Sequence, residues 1–168
     1  MSESIIVTTF GVESEAYQAL SDIRNMPFEP DLVISQVCIV KKTNGTMIPM
    51  DMYDTGVETT DDTKRGGIIG SLIGIIGGPI GVLLGGSTGA LIGSAIDAAD
   101  TSDNASMIEK VCEAIPDNST SLIALVSELD SAPFEAIMSK YSAAVVRFDA
   151  AEVAAEVERA EDRKQHWP

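Results

Sequence analysis

Few residues in this chain have the types and spacing that chemistry requires. Gly85-Gly86-Ser87-Thr88-Gly89 offers the small and hydroxyl residues of a phosphate cradle. A P-loop also needs a Lys to meet the phosphate charge, and no Lys or Arg occurs between Arg65 and Lys110, so this stretch reads as packing rather than nucleotide binding. The dinucleotide pattern G-x-G-x-x-G is absent as well. The only histidine, His166 beside Trp167, is expected to serve neither a Ser-His-Asp site nor a multi-His metal centre. Asp61-Asp62 and the set Glu152, Glu156, Glu158 and Glu161 read as solvated faces, because carboxylates tuned for acid-base work need an apolar surround. Cys38 and Cys112 have no C-x-x-C partner and read as buried small hydrophobes. Met47, Met50 and Met52 suit a core or an oligomer interface better than metal capture. The expectation is no catalytic residue, no metal and no cofactor.

Composition narrows the partners. The chain has 168 residues, 45% of them hydrophobic and 22% charged, which is the balance of a folded domain and here suggests one domain plus an insertion. A formal net charge of -15 disfavours nucleic acid, whose binding rests on Lys and Arg neutralising phosphates. Anionic headgroups would repel the chain too, so any membrane affinity must come from apolar surface. The opening MSESIIVTTF has no basic region ahead of an apolar one, so no secretory leader is expected. A cytoplasmic protein follows, with the inner face of the cell membrane as its second location.

The elements that would position any site can be read in order. Ile5 to Phe10 is a β-branched run closed by Gly11, hence a strand. Ala16, Leu20 and Ile23 fall on one helical face, with Glu13 and Glu15 in the first turn and Pro27 and Pro30 as the stop. Leu32 to Val40 and Met47 to Tyr53 flank Asn44-Gly45, a type I′ hairpin signal. Pro49 cannot donate to a ladder, which places the second hairpin strand at an edge or at a bulge. After the polar joint 54–65 and the apolar run comes a helix with Ile108, Val111, Cys112 and Ile115 inward, ended by Pro116. A strand over 122–126 follows, then a helix opened by Ser131 and Pro133 with Phe134, Ile137, Met138 and Tyr141 inward. Ala144 to Phe148 is a strand, and Asp149 with Glu152 resembles a capping box for the last helix. The expected fold class is α+β: a ferredoxin-like β-α-β-β-α-β sheet with helices on one face, residues 1–63 and 101–168, extended by a C-terminal α-β-α.

Residues 64–100 are expected as an inserted helical hairpin. Within them Gly66, Gly70, Gly74 and Gly78 form one four-residue register, and Gly77, Gly81, Gly85, Gly89 and Gly93 a second. Residues four apart share a helical face, so each register makes a groove without side chains. Each interior Gly costs about 0.8 to 1 kcal/mol against Ala, so close packing must offset it. Gly77-Gly78-Pro79 is the natural break, which leaves arms of about 18 and 27 Å at 1.5 Å per residue. One crossing of a hydrocarbon core takes roughly 20 apolar residues, so two full crossings do not fit. A single crossing suits Lys64-Arg65 before the run and Asp97, Asp100 and Asp103 after it. It would also put the halves of one sheet on opposite sides of the bilayer. Homo-oligomerisation through Gly70, Gly74, Gly77, Gly78, Pro79, Gly81, Gly85, Gly89 and Gly93 is therefore expected, with lipid as the other surface that could cover them.

The β-α-β-β half, the insertion KRGGIIGSLIG…GGPIGVLLGGSTGALIG and the strand TSLIALVSE resemble a prokaryotic family of unknown function. The likeness runs over roughly Ile5 to Phe148. It implies a Gly-zipper segment within a ferredoxin-like domain, and a membrane or stress-related setting without established catalytic residues. The expected function is a non-enzymatic, assembly-forming protein. The alternatives are a membrane-inserted pore and a small-ligand sensor that uses an open sheet face.

Overall fold

The alternating and continuous apolar runs resolve into five strands and five helices in the computed structural model, which describes residues 2–54, 67–77 and 106–165, with side chains to residue 160. In chain order these are β1 (Ser2–Phe10), α1 (Glu13–Asn25), β2 (Leu32–Thr43), β3 (Thr46–Asp54), α2 (Ile68–Gly77), α3 (Met107–Glu113), β4 (Ser119–Glu128), α4 (Ala132–Met138), β5 (Ala143–Asp149) and α5 (Ala150–Gln165). Asn44 and Gly45 take φ of 51° and 79°, the left-handed pair that a type I′ turn needs, and join β2 to β3. Asp149 accepts the Glu152 N–H at 3.0 Å and so opens α5.

The strands form one sheet in the order β3-β2-β4-β1-β5, with every neighbouring pair antiparallel. β1 and β2 therefore run the same way with β4 between them, a split β-α-β unit built around α1. The hairpin strand β3 does not enter that gap. It lies at the outer edge, and its register with β2 shifts at Val40 opposite Pro49, where the missing N–H would break a ladder. β5, expected as an extension, pairs with β1 at the other edge. Because β4 follows the glycine run and pairs with two strands that precede it, both sides of the run belong to one sheet.

Helices cover both faces of the sheet, not one as expected. The reason lies in the three central strands, which are apolar at consecutive positions: Ile5-Ile6-Val7, Val37 to Val40 and Leu122 to Val126 are all buried. Successive side chains point to opposite faces, so such strands need cover on each. Ile6, Phe10, Leu122 and Val126 pack against Leu20 and Ile23 of α1 and Phe134 of α4. Ile5, Val7, Cys38, Ile123 and Leu125 pack against α2, α3 and α5. An irregularity in β2 between Ile34 and Gln36 changes the alternation, which puts Leu32 and Ile34 on the same face as Val37 and Ile39.

Candidate functional site

α2 begins with a backbone that only glycine tolerates. Gly67 has φ of +94°, and a Cβ there would lie 1.7 Å from Nε2 of Gln36. Gln36 is a buried polar residue in the apolar run of β2, and its Oε1 accepts the Ile69 N–H at 3.0 Å. One strand thus caps the helix that lies over it, satisfying a donor that would otherwise be orphaned. Ile68, Ile69, Leu72, Ile73, Ile75 and Ile76 are all buried against the sheet and α5. At about 1.5 to 3 kcal/mol per buried aliphatic side chain they contribute on the order of 10 kcal/mol. The three glycines within the helix oppose this by only about 3 kcal/mol, so burial decides that the segment is helical.

The other side of α2 carries the expected contact glycines. Among the described residues, nothing lies within 4 Å of where a Cβ would stand at Gly70 or Gly74. Gly77 is closer to its surroundings: a Cβ there would be 3.3 Å from the Met47 carbonyl oxygen and 3.9 Å from Pro49 Cδ on β3. Gly78, Pro79, Gly81, Gly85, Gly89 and Gly93 lie outside the described residues, as do Asp61, Asp62 and His166. The residues described therefore give α2 one filled aliphatic face and one bare glycine face. Of the three methionines near the hairpin, Met47 is in the core beneath α2, while Met50 and Met52 of edge strand β3 are about half exposed.

α3, on the far side of the glycine run, is held by polar contacts at its ends. Ser106 Oγ accepts the Glu109 N–H at 3.1 Å. Glu156 of α5 accepts the N–H groups of Met107 and Ile108, so this residue is a cap between helices rather than part of a purely solvated face. At the other end Lys42 Nζ donates to the carbonyls of Cys112 and Ile115 at 3.3 and 3.0 Å. A carboxylate at the amino end and an ammonium at the carboxyl end both complement the helix dipole. The hairpin turn joins the same corner, with the Gly45 N–H donating to Asp117 at 2.9 Å. Burial raises the Glu109 pKa, and the neighbouring charges of Glu113 and Glu156 add to the shift.

The opposite sheet face carries an ionic cluster that the sequence reading did not single out. Arg147 of β5 grips the buried Glu128 of β4 with two nitrogens at 3.1 and 3.2 Å, and reaches Glu135 of α4 at 2.6 Å. Its guanidinium also lies 5.8 Å from the Phe134 ring centroid. All of this fits an architectural tie between β4, β5 and α4. The signal available in the sequence was a Glu ending an otherwise uncharged strand.

Nucleophilic chemistry finds no support in the thiols. Both cysteines are buried and free. Burial, then Asp51, pushes Cys38 up to about 12. Burial also takes Cys112 to about 11, against the opposing effect of Lys42. Neither is a thiolate at neutral pH. Among the described residues no group of three or more His, Cys, Asp or Glu side chains is placed to hold a metal ion, and no helix is long and apolar enough to cross a membrane.

The model of a family described as a protein of unknown function, DUF1269, matches residues 63–159. That stretch starts just before α2 and includes α2, α3, β4, α4 and β5, but not β1, which in this chain pairs with both β4 and β5. Neither a curated protein nor a solved structure matches the chain.

Proposed function

The chain belongs to the DUF1269 family of unknown function, and we propose that it is a non-enzymatic protein that assembles with copies of itself through the glycine-rich segment that begins with α2. The observation that supports this reading is the two-sidedness of α2. Its aliphatic face is filled by the protein's own core, while among the described residues nothing occupies the space beside Gly70 and Gly74, where a backbone could approach closely. Gly78 continues the register of Gly70 and Gly74 along the chain, and after Pro79 the second register runs through Gly81, Gly85, Gly89 and Gly93.

The path of the chain bears on the membrane alternatives. α2 and α3, which flank residues 78–105, pack in the same hydrophobic cluster on one face of one sheet. This favours the assembly reading over a conventional single span, and the 28 residues 78–105 fall short of two crossings of roughly 20 each. A shallow contact with one leaflet at the inner face of the cell membrane remains compatible with this path. Helices pack on both faces of the sheet, which favours the assembly reading over a sensor that uses an open sheet face. In our reading β1-α1-β2, then β4, α4 and β5 form a ferredoxin-like unit, and the stretch from β3 to α3 is the insertion in it.

The test is the absolute mass of the full-length protein in detergent-free buffer, by light scattering, for wild type and Gly74→Leu. Among the described residues nothing stands within 4 Å of a Cβ at Gly74, so the variant should keep the circular dichroism spectrum of a folded chain and lose the discrete multi-subunit mass of the wild type. A monodisperse wild-type monomer overturns the proposal. Recovery of the protein only from the membrane pellet, released only by detergent, replaces assembly with lipid as the cover.

A further inference from the structure

At one end of the sheet the α1–β2 loop and the β4–α4 loop meet, where the Leu129 N–H donates to the Asp31 carbonyl at 3.0 Å. Each loop presents a bulky apolar side chain to solvent: Phe28 is 90% exposed and Leu129 is 70% exposed, the two highest values among the large hydrophobic residues described. Neither packs into the adjacent core, although Leu32, Phe134 and Ile23 nearby are all buried. Pro27 and Pro30 bracket Phe28 and restrict the backbone that carries it, which lowers the entropy lost when the ring is covered.

The charges around this pair have one sign. Glu29 and Asp31 flank Phe28, and Asp130 follows Leu129, while neither loop contains a Lys or Arg. Among the described residues none of these three carboxylates is in an ion pair. Cations on this half of the molecule are engaged with other carboxylates: Arg24 with Asp51, Lys140 with Asp22 and Arg147 with Glu128 and Glu135. An anionic lipid surface would be repelled here, and so would an identical patch on a second copy. We propose that the Phe28–Leu129 end of the sheet is a docking surface for a basic segment of another protein that presents a bulky apolar side chain. The apolar pair supplies the buried contact, and the carboxylates supply selection by charge. This surface is separate from the glycine face of α2, so it stands or falls independently of self-assembly.

The experiment uses the full chain and a fluorescent seven-residue peptide that alternates lysine with leucine around a central tryptophan, with binding read by anisotropy in moderate salt. Phe28→Ser with Leu129→Ser, and separately Glu29→Gln with Asp31→Asn and Asp130→Asn, should each weaken binding by about tenfold or more, as loss of a hot spot or of its charge complement does. Glu152→Gln with Glu158→Gln on the exposed side of α5 removes charge elsewhere and should leave binding within about twofold. Circular dichroism melts confirm that all variants fold. Equal loss in the α5 variant would mean that the peptide senses only net charge, and would overturn the proposal. So would binding to zwitterionic vesicles, or a change in subunit mass, that disappears in the Phe28/Leu129 variant.

Discussion

α1 and α2 cover opposite faces of the same sheet, and their outward sides differ in kind. α1 buries Ala16, Ala19, Leu20 and Ile23 and turns Glu13, Gln18, Ser21 and Arg24 to solvent, as a helix does when its outer side meets only water. α2 buries six Ile and Leu residues and has no charge at any position, with Gly70, Ser71 and Gly74 on its other side. The inner faces teach the same lesson, since aliphatic burial holds each helix to the sheet. The outer faces do not: α1 is finished as a surface, while α2 has the small residues that let another backbone come near. That contrast is why the glycine face, rather than any cluster of polar side chains, is the candidate site.

The comparison breaks first if the inner faces are not equivalent. Leu20 of α1 and Leu72 of α2 are both fully buried, and Leu20→Ala and Leu72→Ala should each cost about 2 to 5 kcal/mol in chemical denaturation. A much smaller loss at Leu72 would mean that α2 is not part of the core. The start of α2 comes next. Gly67→Ala puts a Cβ onto Gln36 and forces an L-residue to positive φ, which should cost about 2 to 3 kcal/mol from strain and the lost cap. No equivalent exists in α1, where an Ala16→Gly change should cost only cavity and helix propensity.

A smaller effect, of opposite sign, sharpens the contrast between outer faces. If Gly74 faces open space in the unassembled chain, Gly74→Ala should stabilise it by up to about 1 kcal/mol through helix propensity. Gly77→Ala should gain nothing, because the new Cβ would press on the Met47 carbonyl. Thermal melts of the unassembled chain at low concentration would separate the two, and destabilisation at Gly74 would show that the face is already covered. The smallest effect lies in α3. The raised pKa of Glu109 means that the folded state holds its proton more tightly than the unfolded state does, so this group favours folding more as pH falls through that raised pKa. At neutral pH the ionised carboxylate is a small liability. Glu109→Gln should raise the melting temperature slightly at pH 7.5, and the difference should shrink by pH 4.

Much of the fold could be read from local pattern. Asn44-Gly45 announced a type I′ hairpin, Pro49 an edge or a bulge, and the spacing of Ala16, Leu20 and Ile23 a helix face, because each depends on backbone sterics or periodicity within a few residues. Less of the candidate site was legible. Gly70 and Gly74 stood out by spacing, but Gly67 did not, since its requirement comes from Gln36, which is 31 residues away in sequence and lies beneath it in space. Glu156 looked like one more acid on a solvated helix until the amino end of α3 was found against it.

By itself the sequence determined that the chain would bury a substantial core, that most of its segments would be the strands and helices observed, and that its middle would be an uncharged glycine-patterned run. These follow from composition and short-range periodicity, which act through local sterics and the hydrophobic effect. Only the tertiary structure decided which strand fills the gap between β1 and β2, that both sheet faces are covered, and that the first part of the glycine run is core on one side and, among the described residues, bare on the other. Strand order and helix placement depend on which distant apolar faces find each other, and no local interaction encodes that choice.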